Sequence, residues 1–358
     1  MKTLKNYGWN DIRATDWTAR KHIGLIPARV VVDHGQHYKV VTPDEVSAQL
    51  SGALMHKMKT VDMPKIGDWV AIEQTGDRPA IIQEVLPRTT EIVRGQAGRL
   101  LNKQVIAANI DVAFIMQPLD HDFSVQRLER YIFQLANQNI TSVILLNKSD
   151  QSDDAADKQA QLANLDAKSI IMSATEDETV STIETEIASG KTAVIMGSSG
   201  AGKSTLTNRL LREERQTTAA IRERDSKGRH TTVHRELFLL PGGGMIIDTP
   251  GIRELQLWGN VSDLEASFPE IAEAIKHCRF KNCSHTNEDG CAVKQGIEDG
   301  TIEAKRFNIY LNFKHELETL ETRRDFIEER RSQQTKESAK RRHRRAIRNS
   351  EDEKFDFE

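Results

Sequence analysis

Short runs of β-branched and aliphatic residues, broken by turn-forming ones, fill residues 24–94: ARVVVDHG, HYKVVTP, DWVAIEQ and PAIIQEVLP, separated by Gly, Pro, Asp and His-Gly signals. This spacing predicts a small all-β barrel behind a polar arm over residues 1–23. The period changes over residues 95–257. There the apolar runs NIDVAFIM, TSVILL, KSIIMS, TAVIM, RELFLL and GMIID alternate with helical patterns such as SVQRLERYIFQLANQ, which predicts a mostly parallel sheet with helices on both faces. Residues 258–335 read as mainly helical around a Cys/His knot. Residues 336–358 read as a basic helix, KESAKRRHRRAIR, running into the acidic tail SEDEKFDFE.

At 358 residues and 38% hydrophobic, the chain has enough apolar material for a packed core in each of two or three domains. No stretch approaches the roughly 18 uncharged apolar residues that a bilayer span needs. The opening MKTLKNYGWNDIRATDW also lacks the apolar segment of a secretory signal. A cytoplasmic chain without membrane contact is therefore expected. The 3 cysteines all fall between Cys278 and Cys291, which disfavours a disulfide framework and favours a metal. With 50 Lys+Arg against 53 Asp+Glu, the net charge of -3 excludes nothing; charge placement has to decide about nucleic acid.

Gly197-Ser198-Ser199-Gly200-Ala201-Gly202-Lys203-Ser204, followed by Thr205, matches the phosphate-loop pattern between the strand TAVIM and the helical TLTNRLL. The glycines let backbone N–H groups cradle phosphates at a helix N-terminus. Lys203 reaches β/γ oxygens, and the Ser204 hydroxyl can hold Mg²⁺. Asp248 in Asp248-Thr249-Pro250-Gly251 follows the run GMII, where its carboxylate can reach Mg²⁺ through water and the Gly251 N–H can meet a γ-phosphate. Asn147-Lys148-Ser149-Asp150 follows TSVILL. The Asp150 carboxylate matches the N1–H and exocyclic amine of guanine, a donor pair that adenine lacks, so a wrong base leaves it unpaired. Ser173-Ala174 supplies a backbone N–H suited to the guanine oxygen. The guanine segments precede the phosphate loop, the reverse of ordinary small GTPases, as a circular permutation produces.

These motifs and their order resemble the circularly permuted bacterial GTPases, and the resemblance covers nearly the whole chain. It implies an oligonucleotide-binding (OB-type) barrel, a permuted α/β GTPase and a C-terminal zinc-finger domain. By that resemblance, Gly228-Arg229-His230-Thr231-Thr232 looks like the first switch, with one of Thr231 and Thr232 reaching Mg²⁺. The resemblance further implies the small ribosomal subunit and its rRNA as the partner during maturation. A Gln directly after D-x-x-G orients the attacking water in many small GTPases, but here that position is Ile252, which has no donor or acceptor. His230 is then the nearest candidate for placing the water. The 20-odd-residue arm and the long basic helix depart from the plainest family pattern.

Cys278, Cys283, His285 and Cys291 form a Cys₃His set suited to one structural Zn²⁺, whereas His277, adjacent to Cys278, is poorly placed to face the same ion. Lys336, Lys340, Arg341, Arg342, Arg344, Arg345 and Arg348 form one basic run, and Arg279 with Lys281 a second spot, both compatible with phosphate backbones. An OB-type barrel adds a groove for single-stranded RNA. The expectation is a monomeric GTP hydrolase, with Mg²⁺ and one Zn²⁺, that docks on the small subunit and couples GTP turnover to late maturation and its own release. Two rivals stand beside it. One is an RNA-binding assembly factor whose nucleotide is structural; the other is a small-molecule kinase, against which Asp150 argues.

Overall fold

The computed structural model describes residues 3–59, 61–74, 76, 78–95, 103–212, 235–248, 261–286 and 288–355. The chain divides into two compact units, Met1–Gly95 with Lys103–Trp258, and Gly259–Glu358.

The first unit starts with the barrel. Strands β1 (Ile26–Asp33), β2 (His37–Thr42), β3 (Asp44–Leu50), β4 (Trp69–Glu73) and β5 (Ala80–Val85) run in the order β1-β2-β3-β5-β4, closed by pairing of β1 with β4. β3 and β5 are parallel and the other neighbours antiparallel, the wiring of a five-stranded OB-type barrel. Ala28, Val30, Tyr38, Val40, Val70, Ile72 and Ile82 fill it. The sequence reading has no strand over Asp44–Leu50, because Glu45, Ser47 and Gln49 interrupt the apolar side chains there. Register rescues it: Val46 and Ala48 lie opposite Val40 and Tyr38 of β2, so half-apolar alternation suffices where one face is buried.

A two-stranded ribbon, β6 (Glu91–Gly95) with β7 (Lys103–Ala108), leads into the nucleotide fold. There β8 (Val112–Pro118), β9 (Thr141–Asn147), β10 (Lys168–Ile171), β11 (Thr192–Gly197) and β13 (Met245–Asp248) lie parallel in the order β10-β9-β8-β11-β13. β12 (Arg235–Leu239) runs antiparallel beside β13. Helices Val125–Ala136, Asp177–Glu186 and Lys203–Leu211 connect these strands. Ser124 caps the first by accepting a hydrogen bond from the Arg127 amide. The central strands are buried on both faces, β11 from end to end, which is why they read as unbroken apolar runs.

Barrel and nucleotide fold share one sheet. The end of β1 pairs with β12, Val32 opposite Glu236 and Asp33 opposite Arg235, giving eleven connected strands. Arg29, 2% exposed, crosses the same seam. Its guanidinium donates to the carbonyls of Tyr7 (2.5 Å), Gly67 (3.2 Å) and Asn109 (3.0 Å) and to Thr192 Oγ1 (2.9 Å). The N-terminal arm packs here too. Its helix Asp11–Ala19 is capped by Asn10, and Trp9 lies edge-on to Trp17 and to Trp69 of the barrel, with centroids 6.0 and 4.8 Å apart.

The second unit is helical: Val261–Ser267, Pro269–Lys276, Ala292–Glu298 and Ala304–Phe355. Phe268, Ile271, Phe307, Tyr310, Phe313 and Leu317 are buried in it. The last helix has 52 residues, about 78 Å at 1.5 Å per residue, and it carries the 336–348 run and most of the acidic tail. Among the described residues no helix is long and apolar enough to cross a membrane.

Candidate nucleotide site and metal centre

The predicted nucleotide segments converge at the carboxyl ends of the parallel strands, the side on which open α/β sheets bind ligands. Asn147 to Asp150 lie at the end of β9 and in the 3₁₀ turn Ser149–Gln151, Ser173 and Ala174 follow β10, the loop Ser198–Gly202 follows β11, and Asp248 ends β13. His230, Thr231, Thr232 and Gly251 lie outside the described residues, as does Ile252.

Asn147 ties three of these segments together. It is 3% exposed; its Nδ2 donates to the Ala201 carbonyl of the phosphate loop (2.6 Å) and its Oδ1 accepts from the Ala174 amide (2.8 Å). A buried amide needs partners for its N–H groups and its oxygen, and the two bonds made here fix the Ala174 loop against the phosphate loop. The glycines follow from the same crowding. A Cβ on Gly202 would lie 2.2 Å from Asn147 Nδ2, and one on Gly197 would lie 2.1 Å from the Met116 carbonyl oxygen. Both have positive φ, +103° and +139°, so glycine is required on two counts.

Lys203 opens the helix Lys203–Leu211 and donates to the carbonyls of Gly197 (2.8 Å) and Ser198, which holds its ammonium in the mouth of the loop. Asp150 is exposed. Its hydrogen bond with Ser173 holds the carboxyl below the usual carboxylate range, with smaller help from Gln151 and Lys148. It is thus an ionised acceptor at neutral pH. Ser173 in turn is buried and hydrogen-bonded to Thr175 Oγ1 at 2.7 Å, so the Asp150 carboxylate has a fixed neighbour. Asp248 stands opposite Glu236 in the β12–β13 register.

Sequence reasoning missed Asp120. It follows β8, the neighbour of β9, and its Oδ2 accepts from Lys148 Nζ at 2.7 Å. A carboxylate two residues past the end of a parallel strand was the available signal, and no motif marked it.

In the second unit, Cys278, Cys283, His285 and Cys291 place their ligand atoms within 4.8 Å of one another. His285 Nδ1 lies 3.6 Å from Cys278 Sγ and 3.5 Å from Cys291 Sγ. A tetrahedral centre with metal–S of about 2.3 Å and metal–N of about 2.0–2.1 Å separates N from S by roughly 3.5 Å, so the donor set fits a metal ion. Partial burial, with hydrogen bonding to Cys291 and Cys278, pushes the Cys283 thiol up to about 11. His277 turns away to Glu273 Oε1 at 3.2 Å. Cys291 also caps the helix Ala292–Glu298, accepting from the Lys294 amide.

Residues 85–258 match the family model described as RsgA GTPase. A protein of Opitutus terrae named small ribosomal subunit biogenesis GTPase RsgA is 38% identical over 328 residues, covering 88% of this chain and 89% of its own. One of the same name from Xanthomonas campestris pv. campestris is 40% identical over 328 residues, with 88% of each chain covered. The crystal structure of YloQ, described as a circularly permuted GTPase, superposes with a TM-score of 0.60 at 23% identity, covering 83% of this chain and 96% of that one. YjeQ from Thermotoga maritima gives 0.60 at 22%, covering 82% and 98%. These two likenesses support the fold: barrel, permuted nucleotide domain and helical C-terminal region.

Proposed function

The chain belongs to the RsgA GTPase family and is a GTP hydrolase, and from that premise we propose that it docks on the small ribosomal subunit, serves late maturation of that subunit, and couples GTP hydrolysis to its own release. The observation that carries the reading is the Asn147 clamp, which ties the phosphate loop at Ala201 to the Ala174 amide beside the segment that carries Asp150. Asp150 and the Ala174 side of the site read the base. The amides of Gly197 to Thr205 and the Lys203 ammonium take the phosphates, and the Gly251 amide the γ-phosphate.

Ser204, Asp248 and one of Thr231 and Thr232 would hold Mg²⁺, which would supply charge neutralisation at the phosphates. The water is placed by His230, because Ile252 offers neither donor nor acceptor. Docking on RNA would hold His230 in that role. Cys278, Cys283, His285 and Cys291 would hold Zn²⁺ in a structural role, since four protein ligands would leave no position for chemistry. The barrel and the basic run 336–348 supply the RNA-binding surfaces, and the chain works as a cytoplasmic monomer.

Hydrolysis of GTP and of ATP, each with and without purified small subunits, tests this. GTP alone is expected to be turned over slowly, and much faster with subunits, while His230→Ala loses most of the stimulation and keeps GTP affinity. Stimulation of the His230 variant equal to wild type would move water placement to another group. Turnover indifferent to subunits would favour the assembly factor with a structural nucleotide.

A further inference from the structure

Lys148 and Asp150 stand two residues apart on one short turn, and this creates a problem of charge. Asp150 reads guanine only while its carboxylate oxygens are available to the base. A lysine ammonium on a flexible four-carbon stem is a natural competitor for them, and the Lys148 charge already acts on Asp150. Lys148 does not take that partner here. Its backbone sits in the left-handed region, φ 69°, and its ammonium is directed across to the β8 loop.

The recipient is held in place from several sides. Asp120 Oδ2 accepts from Lys148 Nζ at 2.7 Å and Oδ1 from the Asp122 amide at 2.9 Å. The Leu119 amide donates to the Asn147 carbonyl at 2.9 Å, and Lys158 Nζ donates to the Leu119 carbonyl at 3.1 Å. Gln117 Nε2 donates to the Asp122 carbonyl at 2.7 Å, and Arg127 grips the Asp122 carboxylate with two bonds of 2.8 Å. Asp120 therefore presents its carboxylate from a loop fixed to the same β9 terminus that carries Lys148. An exposed ion pair between two mobile side chains is worth little. This pair is partly shielded, with side chains 29% and 31% exposed, and its acid end is pre-organised.

We propose that Asp120 is a positioning residue for base specificity: it takes the Lys148 ammonium and so keeps that charge off the Asp150 carboxylate, leaving Asp150 to read the N1–H and exocyclic amine of guanine. The inference rests on the assignment of Asp150 as the guanine reader. It predicts that loss of Asp120 damages base discrimination specifically, and does so through Lys148.

The test compares GDP with inosine diphosphate, which lacks the exocyclic amine, by equilibrium binding to the full-length chain. Asp120→Ala and Asp120→Asn are expected to shrink the GDP-over-IDP preference by about tenfold, the scale of one charge-assisted hydrogen bond. Asp120→Glu should largely preserve it. Adding Lys148→Gln to Asp120→Ala should restore the ratio, although affinity for both nucleotides falls, because no ammonium is left to compete. The Asn variant keeps the shape and the acceptor for the Asp122 amide, so it separates charge from folding. Equal losses for GDP and IDP, or a ratio that Lys148→Gln fails to restore, overturn the proposal while leaving Asp150 as the reader. A wild-type protein without preference for GDP overturns the Asp150 assignment, and this inference with it.

Discussion

Asn147 shows how one buried side chain can control a site it does not complete chemically. Its two hydrogen bonds join the phosphate loop at Ala201 to the Ala174 amide, so its removal leaves a carbonyl and an amide unpaired in a buried place. Such groups cost about 1–3 kcal/mol each. Asn147→Ala is therefore expected to destabilise the first unit by about 2–4 kcal/mol in denaturant titrations and to weaken GDP and ATP-analogue binding alike, since it disorganises the phosphate loop. Asp150→Asn should behave differently. Its side chain is exposed, so stability should change little, while preference moves from guanine to xanthine nucleotides, whose 2-oxo group suits an amide donor. Competition between GDP and XDP reads this directly. Unchanged GDP affinity in Asp150→Asn would remove Asp150 from the base site.

At the scale of elements, the metal knot gives the clearest consequence. Cys278 to Cys291 lie between the short helices Pro269–Lys276 and Ala292–Glu298, and only Cys291 and His285 of the four are buried. A loop with so little apolar cover would take its folding energy from a metal held by these four residues. Chelation, or Cys283→Ser, should release one zinc per chain and unfold the second unit while GDP binding by the first unit persists. Metal analysis finding well under one zinc in the intact protein would sink the assignment.

The same scale shows what the sequence made legible. The buried strands β8, β9 and β11 stand out because apolar runs on both faces are hard to confuse, and the phosphate loop because Gly197 and Gly202 have no alternative. β3 was hidden by its polar outer face. The ribbon β6–β7 was hidden because antiparallel pairing depends on a partner strand, here Ile92 opposite Ala107. Asp120 belongs to no motif, and only the fold brings it to Lys148.

Across the first unit, one arginine bonds to barrel, arm and nucleotide fold at once. Arg29 bonds to Tyr7 of the arm, Gly67 of the barrel, Asn109 ahead of β8 and Thr192 at the start of β11, and its guanidinium lies 5.4 Å from the Trp69 ring centroid. Burial pulls its pKa down to about 9, with the nearby Arg13 charge adding to the fall. That is still well above neutral, so the side chain remains a cation at physiological pH. Among the described residues no carboxylate is hydrogen-bonded to it; four neutral oxygens and the Met245 sulfur at 3.3 Å hold the charge. Replacing Arg29 by Met removes the burden of burying a charge but orphans those acceptors, and a buried polar group left unpaired costs about 1–3 kcal/mol. Arg29→Lys should be no rescue, because a single ammonium lacks the planar fork that reaches acceptors on several segments. Both variants are expected to lower the denaturation midpoint and to expose the arm around Leu4–Ala19 to limited proteolysis. The β1–β12 pairing at Val32 and Asp33 continues directly from Arg29 along β1, so amide exchange should quicken in β12 as well as in the arm. Exchange that quickened in the arm alone would mean that Arg29 anchors the arm without joining barrel to nucleotide fold.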